Sequence, residues 1–182
     1  MAYINLENDL PGIRGLMAFR PQTAQPLNDL AEVLLRSEST LSPGHRELIA
    51  SYVSYLNDCY FCQHSHGGYA QYFLQCDAKD IDRIKEDYTS GDLPDKVKAL
   101  LAIAAKVAEG GKSVTPEVID EARKQGATDD EIHDTVLIAA AFCMYNRYVD
   151  GLGTWAPEDR EYYIERGRQR AMKGYANYNP IH

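Results

Sequence analysis

Arg46-Glu47-Leu48-Ile49, followed ten residues on by Cys59-Tyr60-Phe61-Cys62-Gln63-His64-Ser65-His66, is the stretch from which the chain is best understood. If the second run is helical, a turn of about 100° per residue puts Cys59, Cys62 and His66 on one stripe, at spacings of three and then four. Two thiols and an imidazole then face the same space. Asn57-Asp58 stands directly before Cys59, and both residue types stop one helix and cap the next, so the cysteines are predicted in a first helical turn. Unpaired backbone N–H groups and the positive end of the helix dipole stabilise a thiolate there.

Glu47 belongs to the preceding run, in which Leu48, Ile49, Tyr52, Val53, Tyr55 and Leu56 recur with helical rather than strand periodicity. Asn57 lies ten residues past Glu47 and nine before His66, so an antiparallel hairpin about Asn57 sets the two at nearly the same height. A hydrogen bond from His66 to Glu47 would fix the imidazole tautomer and raise its basicity. The other ring nitrogen is then able to take a proton from Cys62.

The pattern Glu47, eleven residues, Cys59-x-x-Cys62, three residues, His66 resembles the signature of the AhpD-like alkylhydroperoxidases of the carboxymuconolactone decarboxylase superfamily. The Pro-rich lead-in from Arg20, the helix start at Ser42 to Ile49 and the later Asn146-Arg147-Tyr148-Val149-Asp150-Gly151-Leu152 are similar to its peroxidase-related branch, so the resemblance spans roughly residues 15 to 170. It implies an all-helical, homo-oligomeric (dimer, trimer or hexamer), cofactor-free thiol peroxidase or disulfide reductase. It also implies that Cys62 attacks the peroxide, Cys59 resolves it, and Glu47 and His66 relay protons. One departure is visible: a well-known form of the motif has a His just before the second cysteine, where this chain has Phe61.

The 182 residues have the size of one domain, expected over residues 1–182 with an arm at 1–20 and a frayed tail at 174–182. A hydrophobic share of 45% against 25% charged residues is that of a globular chain. The net charge of -8 and pI near 5.1 oppose general attraction to nucleic acid or anionic membrane. Neither partner is expected, and the most apolar run, Val136 to Tyr145, falls short of the roughly 20 residues that a membrane span takes. Met1 to Leu10 shows no charged-then-apolar secretion pattern and the four cysteines form no disulfide framework, so a cytoplasmic location is expected.

Helical periodicity continues from Pro26 to Leu35, from Ser42-Pro43 onward, through Tyr69 to Leu74 and over Asp77 to Asp87. Further helices are predicted from Pro94 to Gly110, from Thr115-Pro116 to about Gln125, from Thr128 with its Glu131 capping box to about Asp150, and from Pro157 to about Lys173. The architecture is therefore all-α, about seven packed helices with the C-x-x-C at a helix N-terminus. Gly67-Gly68, costly in a helix interior, reads best as a place where another backbone comes close.

Other readings weigh less. Zinc would need a second ligand pair that is missing, and His64 points about 200° away from His66. Cys76 and Cys143 read as buried, inert thiols, His45 and His133 as solvated, and Asn146 and Asp150 as polar groups serving a helix end. No flavin or nicotinamide signature appears, so a peroxide substrate would require an external dithiol or a redox partner protein to restore the pair. Disulfide exchange with the same two thiols, a redox-sensing or zinc-holding oligomer, and lactone decarboxylation, which calls for no redox-spaced thiol pair, are the alternatives.

Overall fold

The computed structural model describes residues 2–176, and no strand occurs among them. Nine α-helices follow one another: α1 (Ile13–Phe19), α2 (Pro21–Arg36), α3 (Pro43–Leu56), α4 (Tyr60–Leu74), α5 (Ala78–Glu86), α6 (Asp95–Glu109), α7 (Pro116–Lys124), α8 (Asp129–Gly151) and α9 (Arg160–Lys173). The all-α expectation holds. The helix number exceeds the expected seven in part because the 1–20 arm contributes α1, whose Leu16 and Met17 are buried.

Local signals account for most boundaries. Ser42 caps α3 by accepting from the His45 N–H at 3.2 Å, with Pro43 in the first turn. Thr128 and Glu131 close a reciprocal capping box on α8 at 3.2 and 2.9 Å. Two starts differ from the sequence reading. Helix α2 begins at Pro21 rather than Pro26, because Pro21 takes the first-turn position and the exposed Pro26 is carried inside the helix. Helix α9 begins at Arg160 rather than Pro157, because Asp159 caps it through the Glu161 N–H.

The main core is built from α2, α3, α6 and α8, with Leu35, Leu48, Ile49, Leu100, Leu101, Ile103 and Ile138 fully buried. Burial of such side chains supplies about 1.5–3 kcal/mol each. Cys59, Phe61, Cys62, Val149 and Tyr163 form a separate small cluster that joins α4 to α8 and α9. The thiols thus sit at a seam between elements.

Two close backbone approaches fix that seam. A Cβ on Gly68 would fall 2.5 Å from the Tyr163 carbonyl oxygen, and one on Gly167 would fall 2.5 Å from that of Gly68. Glycine at both positions lets α9 lie against the cysteine helix. The chain then turns at Gly174 and packs against α2, where the backbone N–H groups of Tyr175 and Ala176 donate to Glu32 Oε2. This corrects the frayed-tail expectation for 174–176, since Tyr175 is buried; the rest of that tail, 177–182, lies outside the described residues.

Candidate active site

Helices α3 and α4 form the expected antiparallel hairpin. Its turn runs through Asn57 and Asp58, the latter in the left-handed region at φ 57°. Cys59, rather than Asn57 or Asp58, is the N-cap of α4, and Cys62 occupies its first turn. The backbone N–H groups of that turn have no carbonyl partner within the helix and make its positive end.

Down the hairpin, the Ser51 hydroxyl donates to the Gln63 carbonyl at 2.8 Å, and His66 Nδ1 lies 2.6 Å from Glu47 Oε2. Glu47 is fully buried. Its other oxygen, Oε1, is 2.6 Å from Arg36 Nη2 and accepts from the Tyr175 hydroxyl at 2.8 Å. Burial alone would raise the Glu47 pKa. The charge and hydrogen bond of a protonated His66, the Arg36 guanidinium and the Tyr175 hydroxyl outweigh it and hold the carboxyl below its ordinary value. An ionised carboxylate only accepts, so Nδ1 of His66 carries the shared proton and Nε2 is the nitrogen left for other work.

The imidazole is boxed by rings. Phe142 and Tyr69 meet it edge-on at 4.5 and 5.2 Å between centroids, and Tyr175 lies nearly parallel at 6.3 Å. Arg36 is in turn held between the rings of Phe73 and Tyr175, at 4.8 and 5.0 Å from their centroids.

Cys62 and His66 line the same cavity of about 70 Å3, with Ile13, Met17, Leu27 and Phe142 among its apolar walls and Arg14, Arg166 and Arg170 among its polar ones. Cys59 does not line it. Both thiols are free and buried, Cys59 completely. A hydrogen bond to the Cys62 sulfur, then burial, then the negative charge Cys62 would carry push the Cys59 thiol well above its ordinary pKa. Cys59 lies off the cavity, in the small buried cluster it shares with Cys62, while Cys62 stands at the cavity wall.

Of the four residues singled out from the sequence, the fold brings Glu47 into contact with His66, sets Cys62 and His66 on one cavity and places Cys59 beside Cys62 but off that cavity. His64 stands apart from them: it packs against Tyr60 and Tyr163 on another side of α4, where burial, Lys85 and Arg160 bring its pKa down to about 4. Phe61 wedges its ring over Gly12, which adopts φ 56°, and against Tyr163 at 6.0 Å, so this position secures the arm. Among the described residues, no group of three or more His, Cys, Asp or Glu is placed to hold a metal ion.

Asn146 braces the hairpin turn, accepting from Asn57 Nδ2 at 2.9 Å and donating to Ser54 Oγ at 3.0 Å. Asp150 serves the helix end through its carbonyl, which accepts from Gly153 at 3.0 Å. Its carboxyl neighbours Cys59, and burial raises its pKa. Sequence reasoning missed Arg36 and Tyr175; neither belongs to a spaced motif, and only the folded chain brings them to Glu47.

Residues 78–156 match the carboxymuconolactone decarboxylase family. The matched stretch begins after the cysteine pair and runs from α5 through α8. No curated protein matches the sequence. Several solved structures share the fold, two of them as follows. One is an AhpD-core, uncharacterized peroxidase-related protein from Ralstonia eutropha JMP134, with TM-score 0.76 and 25% identity, covering 87% of this chain and 81% of the other. The second is an uncharacterized peroxidase-related protein from Silicibacter sp. TM1040, with TM-score 0.76, 24% identity and the same coverages. Among the described residues no helix is long and apolar enough to cross a membrane.

Proposed function

For this chain, whose residues 78–156 match the carboxymuconolactone decarboxylase family and whose fold is that of the AhpD-like, peroxidase-related proteins, we propose thiol-dependent reduction of hydrogen peroxide or an alkyl hydroperoxide. The observation that carries the reading is the placement of Cys62 and His66 on one cavity, with His66 anchored on buried Glu47 and Cys59 beside Cys62 in one small buried cluster.

His66 Nε2 takes the Cys62 proton, and the first-turn N–H groups stabilise the thiolate. The sulfur attacks one peroxide oxygen; the O–O bond breaks, the leaving alkoxide or hydroxide takes the proton from His66, and Cys62 becomes a sulfenic acid. The Cys59 sulfur then attacks the Cys62 sulfur, the S–OH bond breaks and water leaves with the Cys59 proton. An external dithiol or a redox partner protein returns two electrons and two protons to the disulfide. Glu47 keeps His66 in the tautomer this sequence needs.

The cavity supports a small substrate: about 70 Å3 holds only a few water-sized volumes, which suits hydrogen peroxide or a short alkyl hydroperoxide. A homo-oligomer and a cytoplasmic setting belong to the same proposal. The apolar groove lined by Phe19, Leu27, Met144 and Tyr148 supports the former.

Trapping tests the chemistry directly. One equivalent of peroxide added to reduced Cys59→Ser protein should leave a sulfenic acid on Cys62 that a dimedone probe captures. Capture on Cys76 or Cys143 instead would remove the mechanism.

A further inference from the structure

Glu47 divides its two oxygens between two tasks. Oε2 faces His66, while Oε1 is occupied by Arg36 at 2.6 Å and by the Tyr175 hydroxyl at 2.8 Å. That same hydroxyl lies 3.5 Å from His66 Nδ1, so it bridges the carboxylate and the imidazole. Tyr175 reaches this point from beyond α9, planted by the Glu32 carboxylate that takes its backbone N–H.

We propose that Tyr175, backed by Arg36, is a positioning residue for the Glu47–His66 pair. It keeps Glu47 ionised and His66 protonated on Nδ1, so that the proton on Cys62 passes to Nε2. The inference rests on the thiol-peroxidase reading for its consequence, although the arrangement of the four side chains does not.

The charge balance explains why two additional groups are needed. A fully buried carboxylate is costly unless it is paired and its lone pairs are satisfied. His66 alone would neutralise Glu47 only while protonated, and a proton-accepting imidazole must spend part of each cycle neutral. Arg36 is charged throughout, and burial of its guanidinium does not prevent Glu47 from holding its pKa up. Tyr175 donates without competing for the proton, since burial and Glu47 push its own pKa far up. Tyr69 and Cys62 on α4, Arg46 beside Glu47 on α3, Arg14 on α1, Tyr145 on α8 and Arg166 and Arg170 on α9 are the other titratable or charged groups around the pair.

Tyr175→Phe tests this, because it keeps the ring against Arg36 and His66 and removes only the hydroxyl. The readout is the pH profile of Cys62 alkylation, resolved by residue with mass spectrometry, alongside peroxide consumption with a dithiol. Losing a donor raises the Glu47 pKa, so the acid limb of Cys62 reactivity should move to higher pH. Peroxide turnover near neutral pH should fall about tenfold or more, as expected for one hydrogen bond to a charged group.

Glu32→Ala, which touches neither Glu47 nor His66, should shift the limb in the same direction by a smaller amount and covers the case of a Tyr175→Phe protein that fails to fold. A profile that superimposes on wild type in both variants would overturn the proposal. A shifted profile in a protein whose wild type consumes no peroxide would instead overturn the peroxidase reading and leave the positioning role standing.

Discussion

Glu47 Oε2 and His66 Nδ1 lie 2.6 Å apart across the α3–α4 hairpin, the carboxylate wholly buried and the imidazole on the wall of the cavity that also holds Cys62. The pair converts a buried charge into control over one ring nitrogen.

Glu47→Gln should be costly twice over. It leaves Arg36 buried without its counter-charge, for which a loss of about 3–5 kcal/mol of stability is expected. It also replaces an acceptor-only carboxylate by an amide that can present either a donor or an acceptor to His66 Nδ1, so the tautomer is no longer fixed and Cys62 reactivity should fall about 10²-fold or more near neutral pH. Denaturant unfolding and residue-resolved alkylation check the two effects separately.

Acid should weaken the wild type through the same group. The Glu47 pKa is lowered in the fold from an ordinary value of 4.5. Its contribution to stability is therefore full above that value and is lost as the pH falls through the lower folded one. Melting temperature measured from pH 6 to pH 3 should drop for wild type with a component that Glu47→Gln lacks; parallel curves would contradict this account of Glu47.

The α4–α9 seam should tolerate no added methyl. Gly68→Ala and Gly167→Ala each place a Cβ 2.5 Å from a backbone oxygen, so each should cost about 1–3 kcal/mol and lower Cys62 reactivity by displacing α9. Gly151→Ala meets nothing within 4 Å and lies in the last turn of α8, so it should be neutral or stabilise by about 0.5 kcal/mol. Thermal melts of the three variants decide it.

Substrate size gives a prediction from the cavity alone. Hydrogen peroxide and short alkyl hydroperoxides should be reduced at least tenfold faster than a bulky aryl hydroperoxide, because the space of about 70 Å3 beside Cys62 is tight for a ring. Equal rates measured by dithiol oxidation would show that the cavity does not select.

The hairpin and the Glu47–His66 contact were legible because they are local: helical spacing sets Cys59, Cys62 and His66 on one stripe, and nearly equal distances from Asn57 bring Glu47 level with His66. The close approach at Gly67-Gly68 was legible for a similar reason, although the partner helix was not. Arg36 and Tyr175 were not legible. Arg36 is the last residue of α2, where nothing in the pattern distinguishes it from a helix-end cation, and Tyr175 joins Glu47 across 128 residues through a turn at Gly174. The cap of α4 was misplaced by one residue, because Asp58 takes a left-handed conformation and hands the N-cap position to Cys59. Asp150 was assigned only to its helix end; its contact with Cys59 depends on how α8 crosses the hairpin turn, which no spacing reveals.

Steady-state peroxide consumption with a dithiol reductant, compared between wild type and Cys62→Ser, tests the central claim most directly. The account predicts catalytic turnover in wild type and none in Cys62→Ser, with the latter protein folded by its melting temperature. Turnover that survives in Cys62→Ser, or a wild type that consumes no peroxide, would contradict it.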